Sequence, residues 1–253
     1  MSKRLNDMEP GKPASDAGKA PRKSARAKPD GGPARGKIRR PSGLVDEVYA
    51  RIRADIMALK IAPDAHISID SLARELGVSQ TPIREALSML EATGLVTKQH
   101  LVGYCAVPKL NRTQFETLYE LRLLLEPYAA SKAARHMTPA ILEQLRQLSQ
   151  DMQPDPDGDQ RAFYNRFADN DSEFHALLAE TSGNPLIAET LARLHVHMHI
   201  FRLRFHTEVT TEAYAEHSVI IEALEKGDAQ AASGAMRAHL ESSYRRLVHF
   251  TEP

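Results

Sequence analysis

Four side chains in the second half of the sequence are of the types that hold divalent metal ions. Asp171 and His175 lie four residues apart, so they share one face of a predicted helix. His217 and His239 lie in two later helical stretches. A carboxylate with three neutral imidazoles is a donor set suited to Zn, Ni or Mn. The chain contains 11 histidines, however, and most histidines are surface or hydrogen-bonded core residues, so spacing alone leaves that alternative open.

A second set of polar side chains, within residues 72–87, has the spacing of a DNA-contacting motif. A short amphipathic helix, a turn at Gly77 and a helix that begins with small polar residues form the pattern. A helix-turn-helix presents the start of its second helix to the major groove in this way. Arg84 can pair bidentately with guanine, Gln80 prefers adenine, and Thr81 can touch a phosphate or a thymine methyl.

Two short strands are predicted after this motif, at residues 95–99 and 104–107, with residues 100–103 joining them as a hairpin. Three helices followed by a hairpin make a winged helix. Lys98 and His100 would lie on the wing, near phosphates or the minor groove. Each of these polar residues, taken alone, is also compatible with an ordinary solvated position, so the interpretation depends on the whole arrangement.

The elements that would position the motif follow from apolar spacing and capping residues. Apolar residues from Leu44 onward repeat at helical spacing until a turn at Pro63. Ser79 or Thr81 can cap the recognition helix, and Gly94 is expected just after its end. These signals predict a three-helix unit ahead of the hairpin.

Beyond a predicted linker at residues 109–112, the chain is predicted to be helical. A capping-box pattern from Thr113 to Glu116 would open the first of these helices. The predicted helices span residues 113–137, 138–152, 160–181, 185–207, 211–226 and 228–250. The predicted fold class is therefore mainly α, with a winged helix-turn-helix at residues 42–108 and a helical domain at residues 113–250.

Composition places the chain among soluble proteins, with 253 residues of which 42% are hydrophobic and 26% charged. No stretch has the roughly 18 apolar residues of a membrane span. Cys105 is the single cysteine, which excludes an internal disulfide, so a cytoplasmic location is expected. Residues 1–41 contain 12 Lys/Arg and 4 Asp/Glu. This basic tail is predicted to be disordered, and it serves either to attract phosphate or only to aid solubility.

The helix-turn-helix resembles that of the GntR family of bacterial transcription regulators. The shared signature is Leu72-Ala73-x-x-Leu76-Gly77-Val78-Ser79-x-Thr81-Pro82-Ile83-Arg84-Glu85-Ala86-Leu87, followed by Leu90, Gly94 and Leu95. The resemblance implies a dimer that reads a short palindrome, with Arg84 and Thr81 as DNA contacts. Gln80 stands where the family commonly has arginine, which implies a changed operator preference. The predicted DNA-binding set is Gln80, Thr81, Arg84, Arg74, Lys98, His100 and the wing glycine, Gly103.

The helical half resembles the FCD effector domain of the FadR-type branch of that family. The matching pieces include Leu121-Arg122-x-x-Leu125-Glu126, Asp171-x-x-Phe174-His175-x-x-Leu178 and Met236-Arg237-x-His239-Leu240. The resemblance implies an antiparallel all-α bundle around a central metal held by Asp171, His175, His217 and His239. It also implies a small carboxylate effector near that metal. Acyl-CoA is disfavoured as the effector, because the relatives that bind it lack this full ligand set.

Three basic residues are candidates for contacting such an effector. Arg122 can grip a carboxylate bidentately, or it can form a salt bridge with Glu126 one turn away. His199 and Arg202 can line the effector pocket, or they can belong to a polar stripe at a surface or an interface. The sequence leaves both pairs of alternatives open.

The sequence thus predicts a transcription regulator rather than an enzyme. Its partners would be a palindromic DNA operator, a small organic acid and a second copy of the chain, with no membrane. Repression relieved by the effector is the commoner behaviour in the resembled family. Two alternatives are a metal-dependent hydrolase fused to a DNA-binding module, and a metal that only stabilises the bundle. The hydrolase lacks an evident general base, since Glu173 lies on a different helix face from the ligands.

Overall fold

The computed structural model describes residues 42–153, 160–203 and 208–251. The predicted basic tail at residues 1–41 lies outside this part of the chain. Within it, a winged helix is followed by a helical domain, which confirms the predicted mainly α fold class. Among the helices described, none is both long enough and apolar enough to cross a membrane.

The winged helix occupies residues 42–106. Its elements are α1 Ser42–Met57, β1 His66–Ile67, α2 Ile69–Leu76, α3 Gln80–Ala92, β2 Val96–Gln99 and β3 Gly103–Ala106. The strands form one antiparallel sheet in the order β1-β3-β2. Helices α1 and α3 pack together and bury Ile52, Ile83 and Leu87 completely or nearly so. The sequence predicts the hairpin strands but not β1, which is only two residues long.

Local sequence explains how the two helices of the motif meet. The Ser68 hydroxyl accepts a hydrogen bond from the Ser71 N–H at the start of α2. Gly77 ends α2 in the left-handed conformation, with φ +66°, where glycine carries no Cβ penalty. Ser79 is the N-cap residue of α3, although its side chain makes no capping hydrogen bond. The turn therefore holds α3 with its polar first turn outward.

The helical domain begins a few residues after β3. Its elements are α4 Arg112–Ala133, α5 Pro139–Asp151, α6 Gln160–Thr181, α7 Pro185–Arg193, α8 Val196–Ile200, α9 Glu208–Glu225, α10 Ala229–Leu247 and a 3₁₀ turn at Val248–Phe250. Helix α10 packs along α4 and α9, and α6 packs against α4 and α5. Helices α4, α6, α9 and α10 therefore surround one interior.

The predicted capping box at residues 113–116 is wrong by two positions. Asn111 is the N-cap of α4, and its side chain accepts a hydrogen bond from the Gln114 N–H, while the Gln114 side chain accepts one from the Asn111 N–H. Asparagine is as good a cap as threonine, so the pattern fits either start.

The single helix predicted at residues 185–207 is also wrong, because α7 and α8 are separate. The break falls at His195, which has φ +46° and serves as the N-cap residue of α8. A non-glycine residue in this conformation is uncommon and interrupts helical hydrogen bonding. The break redirects the chain so that residues 195–203 run beside the winged helix.

Candidate metal centre and DNA-binding surface

Three helices bring the four predicted metal ligands together in the interior of the helical domain. Asp171 and His175 project from α6, His217 from α9 and His239 from α10. One potential ligand atom from each side chain lies within 4.8 Å of all the others, and all four residues are buried. The sequence could place only the first two on a common face. The fold adds the other two.

Hydrogen bonding within the cluster is incomplete in the described part of the chain. Nε2 of His175 and both ring nitrogens of His217 are buried and have no hydrogen-bond partner there. Nε2 of His217 lies 3.3 Å from Oδ1 of Asp171 without the geometry of a hydrogen bond. Buried polar atoms are normally paired. The residues therefore fit a divalent metal, which would accept the lone pair of one nitrogen from each ring.

Three further side chains orient the ligands from outside the cluster. The Nδ1–H of His175 donates to Glu126 at 2.5 Å, and the Nδ1–H of His239 donates to Glu216 at 2.8 Å. The Nδ1–H of His197 donates to Oδ2 of Asp171 at 2.6 Å. Carboxylate–histidine pairs of this kind fix the ring orientation and raise the basicity of the ligand nitrogen. None of these three residues is predicted from the sequence to belong to the site.

Burial and neighbouring charges shift the pKa values of three candidate ligands, Asp171, His175 and His217, in the direction that favours their metal-binding protonation states. Burial lowers the pKa of His175 to about 4 and the pKa of His217 well below its usual range. Burial alone would raise the pKa of Asp171, but the charge and hydrogen bond of His197 lower it below its usual range. The imidazoles of His175 and His217 are therefore neutral and the carboxylate of Asp171 is ionised at neutral pH, as metal ligation requires.

Arg122 forms the salt bridge with Glu126 that is one of the two alternatives left open by the sequence, and it retains an unpaired donor. Its Nε–H donates to Glu126 at 2.6 Å in a buried ion pair, while its Nη1 has no partner among the described residues. Arg122 lines a cavity of about 10 Å³ together with Asp171, His239 and Arg246. That volume accommodates about one water molecule. A free guanidinium nitrogen thus lies beside two of the metal ligands.

The other two predicted effector residues lie elsewhere. The Nη2–H of Arg202 donates to the carbonyl oxygen of Val107, at the junction with the winged helix, at 2.6 Å. His199 is half-buried, and the nearby charge of Arg202 adds to burial in lowering its pKa to about 4. Neither residue lines the cavity beside Arg122. The structure therefore does not bring His199 and Arg202 to the metal cluster, and their placement agrees with the interfacial alternative.

A larger cavity, of about 260 Å³, lies on another side of the cluster. Glu126, His175 and His197 line one part of it, and Thr93 of the winged helix lines another. The remaining walls come from α6, α7 and the start of α8, including four alanines. This space therefore adjoins both the cluster and the end of the recognition helix.

The predicted DNA-binding residues lie on one exposed polar region of the winged helix. Six of the seven are exposed, namely Arg74 on α2, Gln80, Thr81 and Arg84 on α3, and Lys98 and His100 on the wing. The seventh, Gly103, has φ +104°, which allows the tight wing turn. These positions agree with the predicted surface.

A hydrogen-bonded chain joins the residues at the start of α3. The side-chain amide of Gln80 donates to Asp70, and Nη2 of Arg84 donates to Oε1 of Gln80 at 3.2 Å. Nε of Arg74 donates to the backbone oxygen of Asp70. Gln80 therefore acts here as a bridge between an acidic residue and the arginine expected to read guanine.

A winged helix with an exposed polar recognition helix defines a DNA-binding protein, and the helical domain adds a second, separate site. Residues 44–105 match the bacterial regulatory proteins of the gntR family, and residues 117–242 match the FCD domain. The chain belongs to the GntR family of DNA-binding transcription regulators, in the group that carries an FCD domain. This confirms the resemblance found in the sequence.

Individual relatives agree with that assignment. The chain is 30% identical over 200 residues to an uncharacterized HTH-type transcriptional regulator in an unstable DNA locus of Streptomyces ambofaciens, covering 78% of this chain and 82% of the relative. It is 28% identical over 199 residues to the HTH-type transcriptional repressor RspR of Escherichia coli (strain K12), covering 77% and 85%. The solved structure of E. coli McbR/YncC, at 20% identity, has the same fold, with a TM-score of 0.61 over 82% of this chain and 98% of that one. The family and these relatives are transcription regulators rather than enzymes, so the hydrolase alternative has no support.

Proposed function

We propose that this regulator binds a divalent metal at Asp171, His175, His217 and His239, and that a small carboxylate bound beside the metal changes its affinity for DNA. The observation that carries the proposal is the pair of buried Nε2 atoms, on His175 and His217, without partners in the described chain. Each unpaired buried group costs about 1–3 kcal/mol. Zn, Ni or Mn would pair both, and when bound would supply the positive charge that attracts an acid.

Arg122 supports the carboxylate as the effector class. Its Nη1 and the Nε of Arg246 are both buried and without partners among the described residues, and both side chains line the cavity next to Asp171 and His239. Because that cavity has room for about one water, an acid would have to widen it. Such a ligand binds one arrangement of the helices better than another, which is what a change in DNA affinity requires.

We expect the output to be repression by a homodimer on a palindromic operator, in the cytoplasm. RspR, one of the relatives, is named a repressor. A palindrome needs two copies of the winged helix, since each copy reads one half-site. On α4, Leu124 and Tyr128 lie four residues apart and are 72% and 50% exposed. This apolar face is where we expect the second copy to pack.

A metal that only stabilises the bundle is the second candidate. It is favoured by the number of ligands, because four side chains from three helices already close a tetrahedral zinc site. In that case, removing the metal would lower the melting temperature, and no acid would bind at the site.

One titration separates the two candidates. The metal-loaded protein first selects a DNA duplex from a random pool, and its affinity for that duplex is then measured with zinc chloride and with acetate, lactate, malate or citrate. We expect at least one acid to change the affinity by about fivefold or more, within the usual range of coupling between sites. The effect should disappear in Arg122→Gln and persist in His136→Ala, a histidine remote from the cluster. If no acid changed the affinity for DNA but zinc still stabilised the protein, the metal would have only a structural role.

A further inference from the structure

Residues 195–203, which contain α8, contact both the candidate metal centre and the winged helix; we call them the connecting segment. We propose that the connecting segment transmits the state of the metal centre to the DNA-binding domain, with His197 as the positioning residue at the metal end. This inference rests on the proposed function for its ligand but on separate contacts for its mechanism. Coupling between two sites needs a physical element that contacts both and whose position both can bias.

At the metal end, His197 of the connecting segment forms a hydrogen bond with Asp171, one of the four candidate ligands. The Nδ1–H of His197 donates to Oδ2 of Asp171 at 2.6 Å, and His197 is only 8% exposed. The other carboxylate oxygen of Asp171 is the one that lies near His217. His197 therefore sets which oxygen faces the cluster, and any rotation of Asp171 on ligand binding must move α8 or break this hydrogen bond.

At the DNA-binding end, the connecting segment contacts the residue that follows the C-cap of the recognition helix. Gly94 follows Thr93, the C-cap of α3, and its backbone lies directly against the ring of His195. A Cβ placed on Gly94 would lie 2.6 Å from Cδ2 of His195. His195 and His197 are two residues apart, so a displacement at one is passed to the other through a single turn of helix.

The far end of the connecting segment holds the chain that joins the two domains. The Nη2–H of Arg202 donates to the carbonyl oxygen of Val107 at 2.6 Å, and Arg202 is 1% exposed. The ammonium of Lys109 donates to the carbonyl oxygen of Leu203 at 3.5 Å. Hydrogen bonds from a buried charged group are costly to break. Residues 107–109, which join the two domains, are thus attached to the same short segment that bonds to Asp171 through His197.

Contact with α1 adds a further attachment. Arg53 forms an ion pair with Asp169 of α6, and its Nη2 lies 3.8 Å from the sulfur of Met198 in the connecting segment. Asp169 is half-exposed, so solvent weakens this pair relative to the buried contacts of Arg202. The close contact of His195 and the buried hydrogen bonds of His197 and Arg202 therefore carry the proposal.

The role of the connecting segment is tested by hydrogen exchange of the full-length protein, measured by mass spectrometry. The first arm of the experiment is carried out without metal. We expect His197→Ala to speed exchange in peptides covering residues 90–96 and 104–110 by about fivefold or more, the lower end of typical coupling between sites. Ser243→Ala is the matched control, because it removes a buried hydrogen bond to Tyr119 that also lies near the cluster but involves no residue of the connecting segment. An effect of His197→Ala confined to residues 160–203 would overturn the proposal.

The second arm adds zinc chloride and compares the wild type with two variants, each of whose zinc binding is confirmed by calorimetry. In the wild type, zinc should slow exchange at residues 90–96 and 104–110. In Arg202→Met the effect at 104–110 should be lost, and in His195→Gly the effect at 90–96 should be lost. His195→Gly relaxes a positive φ and is expected to fold. If zinc slowed exchange in both variants as much as in the wild type, the proposal would be overturned. If the wild type did not bind zinc, the proposed metal centre would be refuted, and the metal-free comparison would decide the role of the connecting segment.

Discussion

The candidate metal centre and the DNA-binding surface are both sets of polar side chains, yet they differ in what defines them. The four candidate metal ligands are buried, and three of them accept a hydrogen bond from, or donate one to, a side chain on another helix. The predicted DNA-binding residues are almost all exposed, and those at the start of α3 are joined to one another and to Asp70 by hydrogen bonds. A buried polar site is therefore recognisable from its own incomplete hydrogen bonding, whereas an exposed one is recognisable only from the helix that presents it.

The largest expected effect is the loss of a ligand at the buried site. His217→Ala should weaken zinc binding by more than about 100-fold, beyond the 10–100-fold typical of losing an outer partner, because His217 supplies its nitrogen from the centre of the cluster. Competition with a chromogenic chelator measures this. His136→Ala, whose ring bonds the Thr181 carbonyl instead, should bind zinc normally. Equal zinc affinity in both variants would show that the cluster is not the site.

A smaller effect is expected when an orienting carboxylate is neutralised. Glu216→Gln should weaken zinc binding by about 10–100-fold, since Glu216 accepts the hydrogen bond of His239 and is itself held by Arg246. Glu212→Gln is a suitable control, because Glu212 contacts the same arginine but no ligand. If the two variants bound zinc alike, the role assigned to Glu216 would be wrong.

On the exposed surface, the recognition-helix arginine should matter most. Arg84→Ala should weaken binding to the selected duplex by about tenfold or more, since a bidentate base contact contributes about 1–3 kcal/mol. Its zinc affinity should not change. Ser88→Ala, one turn further along the same exposed face, serves as the control in a fluorescence-anisotropy titration. A parallel loss in zinc affinity would show that the substitution disturbs the fold rather than a base contact.

The smallest effect is expected on the wing. Lys98→Ala should weaken binding to all sequences about equally and should reduce the dependence of affinity on salt by about one charge. Its ammonium lies 5.7 Å from the centre of the Tyr104 ring, so the side chain is positioned but not buried. Titrations at several salt concentrations measure the slope. An unchanged slope would remove Lys98 from the phosphate contacts.

The same comparison explains how much the sequence could predict. The helix-turn-helix is contiguous, so its turn at Gly77, its cap at Ser79 and its exposed face all follow from local spacing. Among the candidate metal ligands, Asp171 and His175 are predicted from their helical spacing. His217 and His239 are assigned to the same site by the family resemblance. In both cases the informative residues lie within one helix or one signature.

The residues that sequence reasoning missed depend on long-range packing. Glu126 bonds His175 across 49 residues and His197 bonds Asp171 across 26, so no local pattern links them. The break at His195 is equally invisible, because a histidine with positive φ has no sequence signal. Only Glu216 offered a hint, as the neighbour of His217.

The close approach of Gly94 to His195 has a consequence for how this protein can evolve. Position 94 must stay a glycine for two reasons, its φ of +72° and the absence of room for a methyl group beside the imidazole. A smaller residue at position 195 would lift the second restriction while leaving the first. Among descendants of this chain, a smaller side chain at position 195 therefore needs no steric change at position 94, although it would remove the proposed signalling contact. Any growth at position 94, in contrast, must follow a smaller side chain at position 195.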